Sequence, residues 1–158
     1  KDLPKTDIVG ITGTPNDLDQ MKEYQNKYHI EECFTDYDQA LKETAADTAY
    51  VAVPNFLHYA FTKKALEAGK NVICEKPFTV KYDEFRKLKN LAEEKKLILV
   101  EAITNQYLTN YKVLKDHLSD LGQIKIVSMN YSQYSHRYDA FKQGKILPVF
   151  DPKKGGVP

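Results

Sequence analysis

The sequence has no tryptophan, only two cysteines and seven glycines in 158 residues, and no excess of charge of either sign. Each shortage excludes something. Two cysteines, Cys33 and Cys74, are too few for a disulfide framework or a metal site, and they read as buried reduced thiols. Twenty-three Lys and Arg against 22 Asp and Glu leave a net charge of +1 with no basic block, so nothing here supports nucleic acid as a partner. No stretch approaches the roughly 20 apolar residues of a membrane span. The opening residues, KDLPK, lack the apolar core of a signal peptide. The chain therefore reads as cytoplasmic, with no membrane partner. What is present is 42% hydrophobic residues, enough for a sizeable core.

Strand and helix signals alternate along the chain. Residues 7–12 (DIVGIT) form a β-branched run that leaves into a Gly-Thr-Pro-Asn turn. Leu18, Met21, Tyr24 and Tyr28 then repeat at the spacing of one buried helix face, with Asn16 or Asp17 placed to cap it. Glu32-Cys33-Phe34 reads as a small edge strand, and residues 36–44 as a brief helix. Residues 49–53 (AYVAV) are a continuous apolar run of the kind buried on both faces in a parallel sheet. The helix after it, carrying Leu57, Ala60, Phe61, Ala65 and Ala68, stops at Gly69. A second strand-helix unit follows with strand 71–74 and helix 80–95. A third has strand 97–102 and a helix whose buried face is Leu108, Tyr111, Leu114 and Leu118, ended by Gly122. This order is the signature of an α/β fold with a doubly wound parallel sheet. After Gly122 the pattern changes. Residues 124–133 predict a longer strand of a second sheet, with Ile124 and Ile126 on one face and Val127, Met129 and Tyr131 on the other.

In such a sheet, ligands bind beyond the carboxyl ends of the strands, where loops diverge and helix amino termini offer unpaired amides. Two clusters fall there. Pro54-Asn55-Phe56-Leu57-His58 leaves one strand, and Glu75-Lys76-Pro77 leaves the next. Asn55 offers an amide that caps a helix or bonds a cofactor ribose, and His58 sits in the first helical turn, as a packed histidine or as a ligand contact. Lys76 is charged, abuts a buried strand, and precedes a proline that holds the backbone extended. It is either half of an exposed ion pair or an ammonium aimed into the crevice, where it would stabilise an alkoxide as charge develops.

Residues 47–78 (DTAYVAVPNFLHYAFTKKALEAGKNVICEKPF) resemble the core of the Gfo/Idh/MocA group, the glucose-fructose oxidoreductase and inositol dehydrogenase family. That pattern is a strand, Pro-Asn-x-x-His, a helix closing on Ala-x-x-Ala-Gly-Lys, a strand, then Glu-Lys-Pro. The resemblance implies NAD(P)-dependent hydride transfer at a hydroxyl-bearing carbon of a sugar, polyol or related small molecule. Carried over by position, Lys76 is the catalytic lysine, and Gly13, Thr14, Pro54, Asn55, His58, Glu75, Lys76, Pro77 and Glu101 line the cofactor site. The family often has a cis peptide before this proline, so Lys76-Pro77 is expected to be cis.

The same resemblance points to parts this sequence does not carry. The Gly-x-Gly-x-x-Gly turn that lets a pyrophosphate approach a helix amino terminus is not found. The strand before it would lie mid-sheet, between the strands that lead to Gly13 and Pro54, so unpaired strand edges are expected. Asp151-Pro152-Lys153-Lys154-Gly155-Gly156 is similar to the segment leading into the family's Asp-x-x-x-His stretch, whose histidine shuttles the hydroxyl proton. The expectation is a chain truncated at both ends: a Rossmann-like dinucleotide domain over 1–122 lacking its first strand, then the start of an α+β substrate and oligomerisation domain over 123–158. Alone it is expected to be inactive; the full protein is expected to form a homodimer or homotetramer. At the end of the strand where NAD enzymes usually place an acid, Gly13-Thr14 stands instead, so cofactor choice between NAD and NADP leans toward NADP. Asn105-Gln106-Tyr107 departs from the family's arginine-aromatic pair. Tyr131, Tyr134 and Tyr138, with His136 and Arg137, face either substrate or a partner subunit. The alternative of another class is a dinucleotide-binding sensor or transcriptional co-regulator of the same fold without catalysis.

Overall fold

The computed structural model describes residues 6–135, 137–147, 151 and 154. Strands and helices alternate from the first: β1 (Gly10–Thr12), α1 (Leu18–Tyr28), β2 (Glu32–Phe34), α2 (Tyr37–Glu43), β3 (Thr48–Val51), α3 (His58–Glu67), β4 (Asn71–Cys74), α4 (Tyr82–Lys95), β5 (Leu99–Glu101), α5 (Thr109–Asp116) and α6 (Tyr138–Lys142). Short 3-10 turns at Pro15–Asp17, Asn55–Leu57 and Thr104–Tyr107 lead into α1, α3 and α5. Every strand pairing is parallel. The strands form two separate sheets, β1-β2 and β3-β4-β5. Among the described residues, β1 and β3 each therefore keep one edge without a strand, as the resemblance implied.

The helix caps explain the boundaries. Asp36 accepts a hydrogen bond from the Gln39 amide at 2.7 Å and starts α2. α1 is preceded by the turn Pro15–Asp17. Asp17 is the N-cap residue of α1, as expected, but its carboxylate turns back to the preceding 3-10 turn: the Thr14 amide and hydroxyl both donate to Asp17 Oδ2, at 2.8 and 2.6 Å. These bonds hold the Asp17 carboxyl below its ordinary pKa. Gly69 follows α3 at φ +78°, a conformation that favours glycine, which is why the helix stops there.

The core lies on one side of β3-β4-β5. Val51, Val72 and Cys74 from the strands meet Ala65 and Leu66 of α3, Leu88 and Ala92 of α4, and Leu41 of α2. Residues 49–53 are consequently not buried on both faces. Val51 is 3% exposed but its neighbour Tyr50 is 59% exposed, because α3 and α4 cover a single face of this sheet. α2 ties the two sheets together. Its Leu41 enters the core, and at its end the Thr44 hydroxyl and the Ala45 amide donate to the Glu32 carboxylate of β2.

Two other expectations are corrected. Residues 124–133 form no strand, since no neighbour among the described residues offers the ladder partners that strand backbone needs, and Ile126, Met129 and Tyr131 are almost fully exposed. The stripe Leu108, Tyr111, Leu114 and Leu118 is not buried either; α5 ends at Asp116 and no described element covers that face. Cys74 is buried and Cys33 only half-buried, both as free thiols.

Gly13 has a packing role of its own. A Cβ placed there would stand 2.6 Å from Met21 Sδ and 3.2 Å from Asp17 Cβ, so the missing side chain is what lets the first turns of α1 close on β1. Gly13→Val is expected to destabilise the fold by about 1–3 kcal/mol, because Met21 is buried and must be displaced. An unchanged urea midpoint would contradict this.

Candidate functional site

Two loops leave the carboxyl ends of paired strands side by side. β3 and β4 run in register, Val51 opposite Cys74, so the Pro54 loop and the Glu75 loop emerge together. The Pro54 loop turns at once: the Leu57 amide donates to the Pro54 carbonyl at 2.8 Å, and the turn Asn55–Leu57 runs on into α3. Asn55 is half-buried at the start of that turn, with Pro54 exposed before it.

The Glu75-Lys76-Pro77-Phe78 loop is fixed from several sides. The Glu75 amide donates to the Val51 carbonyl at 2.9 Å, and the Ala102 amide to the Cys74 carbonyl at 2.8 Å. The Phe78 amide donates to Glu101 Oε1 at 2.9 Å. Phe78 is buried in the core, whereas Lys76 and Pro77 are exposed. The peptide between Lys76 and Pro77 is cis. His58 lies beneath both loops, 1% exposed, with its two ring nitrogens 2.8 Å from the Val53 and Pro77 carbonyl oxygens.

Glu75 is the acid of this loop. The Tyr50 hydroxyl donates to Glu75 Oε1 at 2.7 Å, and this bond, with the Lys76 amide and the charges of Lys76 and His58, holds the carboxyl below its ordinary pKa. The same bond pushes the Tyr50 phenol up. Burial raises the Cys74 thiol behind the loop. Because Glu75 titrates lower in the folded chain, its contribution to stability is complete above the ordinary carboxylate range and is lost as pH falls through its folded value. Tyr50→Phe should raise the Glu75 pKa, read by carboxylate carbon shifts in an NMR titration. A Glu75 curve that does not move would show that Tyr50 is not its main partner.

The structure thus brings Asn55, His58, Glu75, Lys76, Pro77 and Glu101 to adjoining loops of one sheet. Gly13 and Thr14 stand at the end of β1, on the other sheet. Tyr50 was missed in the sequence, where it sits inside an apolar run; strand alternation, which turns it away from Val51, is the signal that would have found it. Tyr107 is exposed at the end of its turn. Tyr134 donates to Asp139 Oδ1 at 2.6 Å and meets the Tyr138 ring edge-on at 5.8 Å, and the Arg137 amide donates to Ser135 Oγ. Tyr131 is exposed. His136 lies outside the described residues, as do Pro152, Lys153, Gly155 and Gly156. A cavity of about 560 Å³ opens between α4 and β5, lined by Phe78, Phe85, Leu99 and Glu101 among others. Pro77 also lines it, whereas Asn55 and Lys76 do not.

Residues 1–103 match the family model described as "Oxidoreductase family, NAD-binding Rossmann fold" of the GFO_IDH_MocA group. The chain belongs to the Gfo/Idh/MocA oxidoreductase family. It is 34% identical over 131 residues to a scyllo-inositol 2-dehydrogenase (NADP(+)) of Bacillus subtilis, which covers 83% of this chain and 40% of that protein. It is 45% identical over 115 residues to a D-xylose 1-dehydrogenase (NADP(+)) of Hypocrea jecorina, covering 73% of this chain and 29% of that one. The fold is similar to that of a myo-inositol 2-dehydrogenase from Lactobacillus plantarum, with a TM-score of 0.71 at 22% identity over 78% of this chain and 37% of the other. The chain spans about two fifths of the length of the first of these Gfo/Idh/MocA relatives, 40%. Among the described residues no helix is long and apolar enough to cross a membrane.

Proposed function

We propose that the protein to which this chain belongs is an NAD(P)-dependent oxidoreductase acting on a hydroxyl-bearing carbon of a sugar, polyol or related small molecule. The observation that carries the reading is Lys76. It is an exposed ammonium on a loop held at Glu75, Pro77 and Phe78, standing beyond paired parallel strands in a family of oxidoreductases. The neighbouring groups suit a dinucleotide. Asn55, Glu75 and Pro77 keep exposed or half-exposed surface above a floor made by the buried His58 and Phe78, so polar groups line a dry base. Pro54, Asn55, Glu75 and Pro77 would hold the nicotinamide end, with Glu101 supporting the loop from β5 and Gly13 and Thr14 facing the adenosine end.

The bound dinucleotide supplies the hydride acceptor or donor. The chain supplies position and charge. Lys76 would donate to the substrate oxygen and stabilise the negative charge that grows there as a hydride arrives at the adjacent carbonyl carbon or, in the oxidising direction, as the hydroxyl proton passes to a base or to water before the hydride leaves. Glu75, ionised and tethered by Tyr50, keeps a carboxylate beside the lysine's backbone.

NADP is the favoured cofactor, supported by the NADP(+) preference in the names of two relatives and by the absence of an acid at Gly13-Thr14. We also assign residues 1–122 to a dinucleotide domain and 123–158 to the start of a substrate and oligomerisation domain, in a protein that works as a homodimer or homotetramer. Calorimetric titration of the full-length protein with NADP and with NAD tests the cofactor reading. Tighter binding of NADP is the expected result; tighter binding of NAD, or of neither, would overturn it.

A further inference from the structure

His58 is only 1% exposed, and both of its ring nitrogens face oxygens that can only accept. Nε2 lies 2.8 Å from the Val53 carbonyl and Nδ1 2.8 Å from the Pro77 carbonyl. A neutral imidazole has one N–H and one lone pair, so one of these contacts would set a lone pair against a carbonyl oxygen at hydrogen-bonding distance on a ring that is 1% exposed. Two N–H donors satisfy both carbonyls. Glu75, held ionised by the Tyr50 hydroxyl, places a negative charge on the adjoining loop.

We infer that His58 is a positioning residue that carries a hydrogen on each ring nitrogen and braces the Pro54 loop to the Lys76 loop, rather than a residue that touches the cofactor. The two carbonyls it joins belong to the residue before Pro54-Asn55 and the residue after Lys76. The ring therefore fixes the spacing between the amide at Asn55 and the ammonium at Lys76. Its 1% exposure leaves it no face for a ligand. A glutamine in its place offers donors on one atom only and an acceptor on the other, so it can serve one carbonyl and must turn an oxygen toward the second.

The role in turnover rests on the oxidoreductase reading; the hydrogen count on the ring does not, and the test separates them. Nitrogen-15 NMR of the ring in the full-length protein at neutral pH should show both nitrogens bearing hydrogen. One bare nitrogen would overturn the brace, whether or not the protein turns over any substrate. With a substrate in hand, His58→Gln should lower kcat by about tenfold to a hundredfold, the scale expected when reacting groups shift by about an ångström, with little change in KM for the dinucleotide. The same substitution in a Lys76→Met background should cost nothing further, because His58 acts through Lys76. An equal loss in both backgrounds would show a merely structural histidine. If His58→Gln does not fold, the nitrogen spectrum of the unaltered protein decides. Absence of turnover with both ring nitrogens protonated would remove the oxidoreductase reading and keep the brace.

Discussion

Lys76→Met in the full-length protein is expected to lower kcat by about 10²–10³-fold with a much smaller change in KM for either substrate. The loss is that of one donor aimed at an oxygen that becomes negative only in the transition state, which is where such groups act. Methionine keeps the length and apolar stem of the side chain and removes its charge. Lys76 makes no contribution to the core, so thermal unfolding of the variant should match the parent. Lys76→Arg is not a conservative control, since a planar fork cannot present one proton along the same line. A variant retaining full kcat would remove the lysine from the chemistry and reduce Glu75-Lys76 to the exposed ion pair that the sequence also allowed.

Leu66→Ala should be the most damaging change remote from the site, costing about 2–5 kcal/mol of stability. Leu66 is fully buried where α3 meets the sheet and α4, together with Leu88, Val72 and Cys74. Truncation leaves a void between three elements that are each pinned by their own hydrogen bonds and cannot collapse far. The same void lies under β4, from whose end the Lys76 loop leaves, so the variant should lose activity along with its folded population. Denaturation in urea reads the effect as a lower midpoint at constant slope. A shift worth less than about 1 kcal/mol would mean that the face seen here is not the protein's main core.

How much of this was legible in the sequence depended on whether the signal was local. Strand β4 was read to its exact bounds because NVIC is short, apolar and flanked by a glycine and a charged loop. Gly69 announced a helix end through backbone chemistry that acts within a few residues. Longer expected strands shrank, as residues 7–12 did to Gly10–Thr12, because a strand extends only as far as its neighbour and β2 is three residues long. Residues 124–133 and the Leu108-Tyr111-Leu114-Leu118 stripe carry apolar alternation and periodicity that call for a covering surface, and periodicity says nothing of whether that surface is at hand. At the site, the clusters around Asn55 and Lys76 stood out as polar residues abutting buried strands. Their bracing did not. That His58 reaches the Pro77 carbonyl, that Glu101 accepts from the Phe78 amide and that Glu75 accepts from the Tyr50 hydroxyl are facts of three-dimensional juxtaposition across 19 to 25 residues of chain. No spacing rule encodes them.

That the loops at Asn55 and Lys76 serve a hydride-transfer enzyme is our proposal for the full-length protein. Its most direct test is the appearance of reduced nicotinamide when the full-length protein is given NADP or NAD and a panel of inositols, aldoses and other polyols. Steady formation of reduced cofactor is expected with at least one of them, slowed by about 10²–10³-fold in the Lys76→Met variant. Tight dinucleotide binding with no oxidation of any polyol, and no reduction of the corresponding ketones in reverse, would contradict it and mark the protein as a dinucleotide sensor built on the same fold.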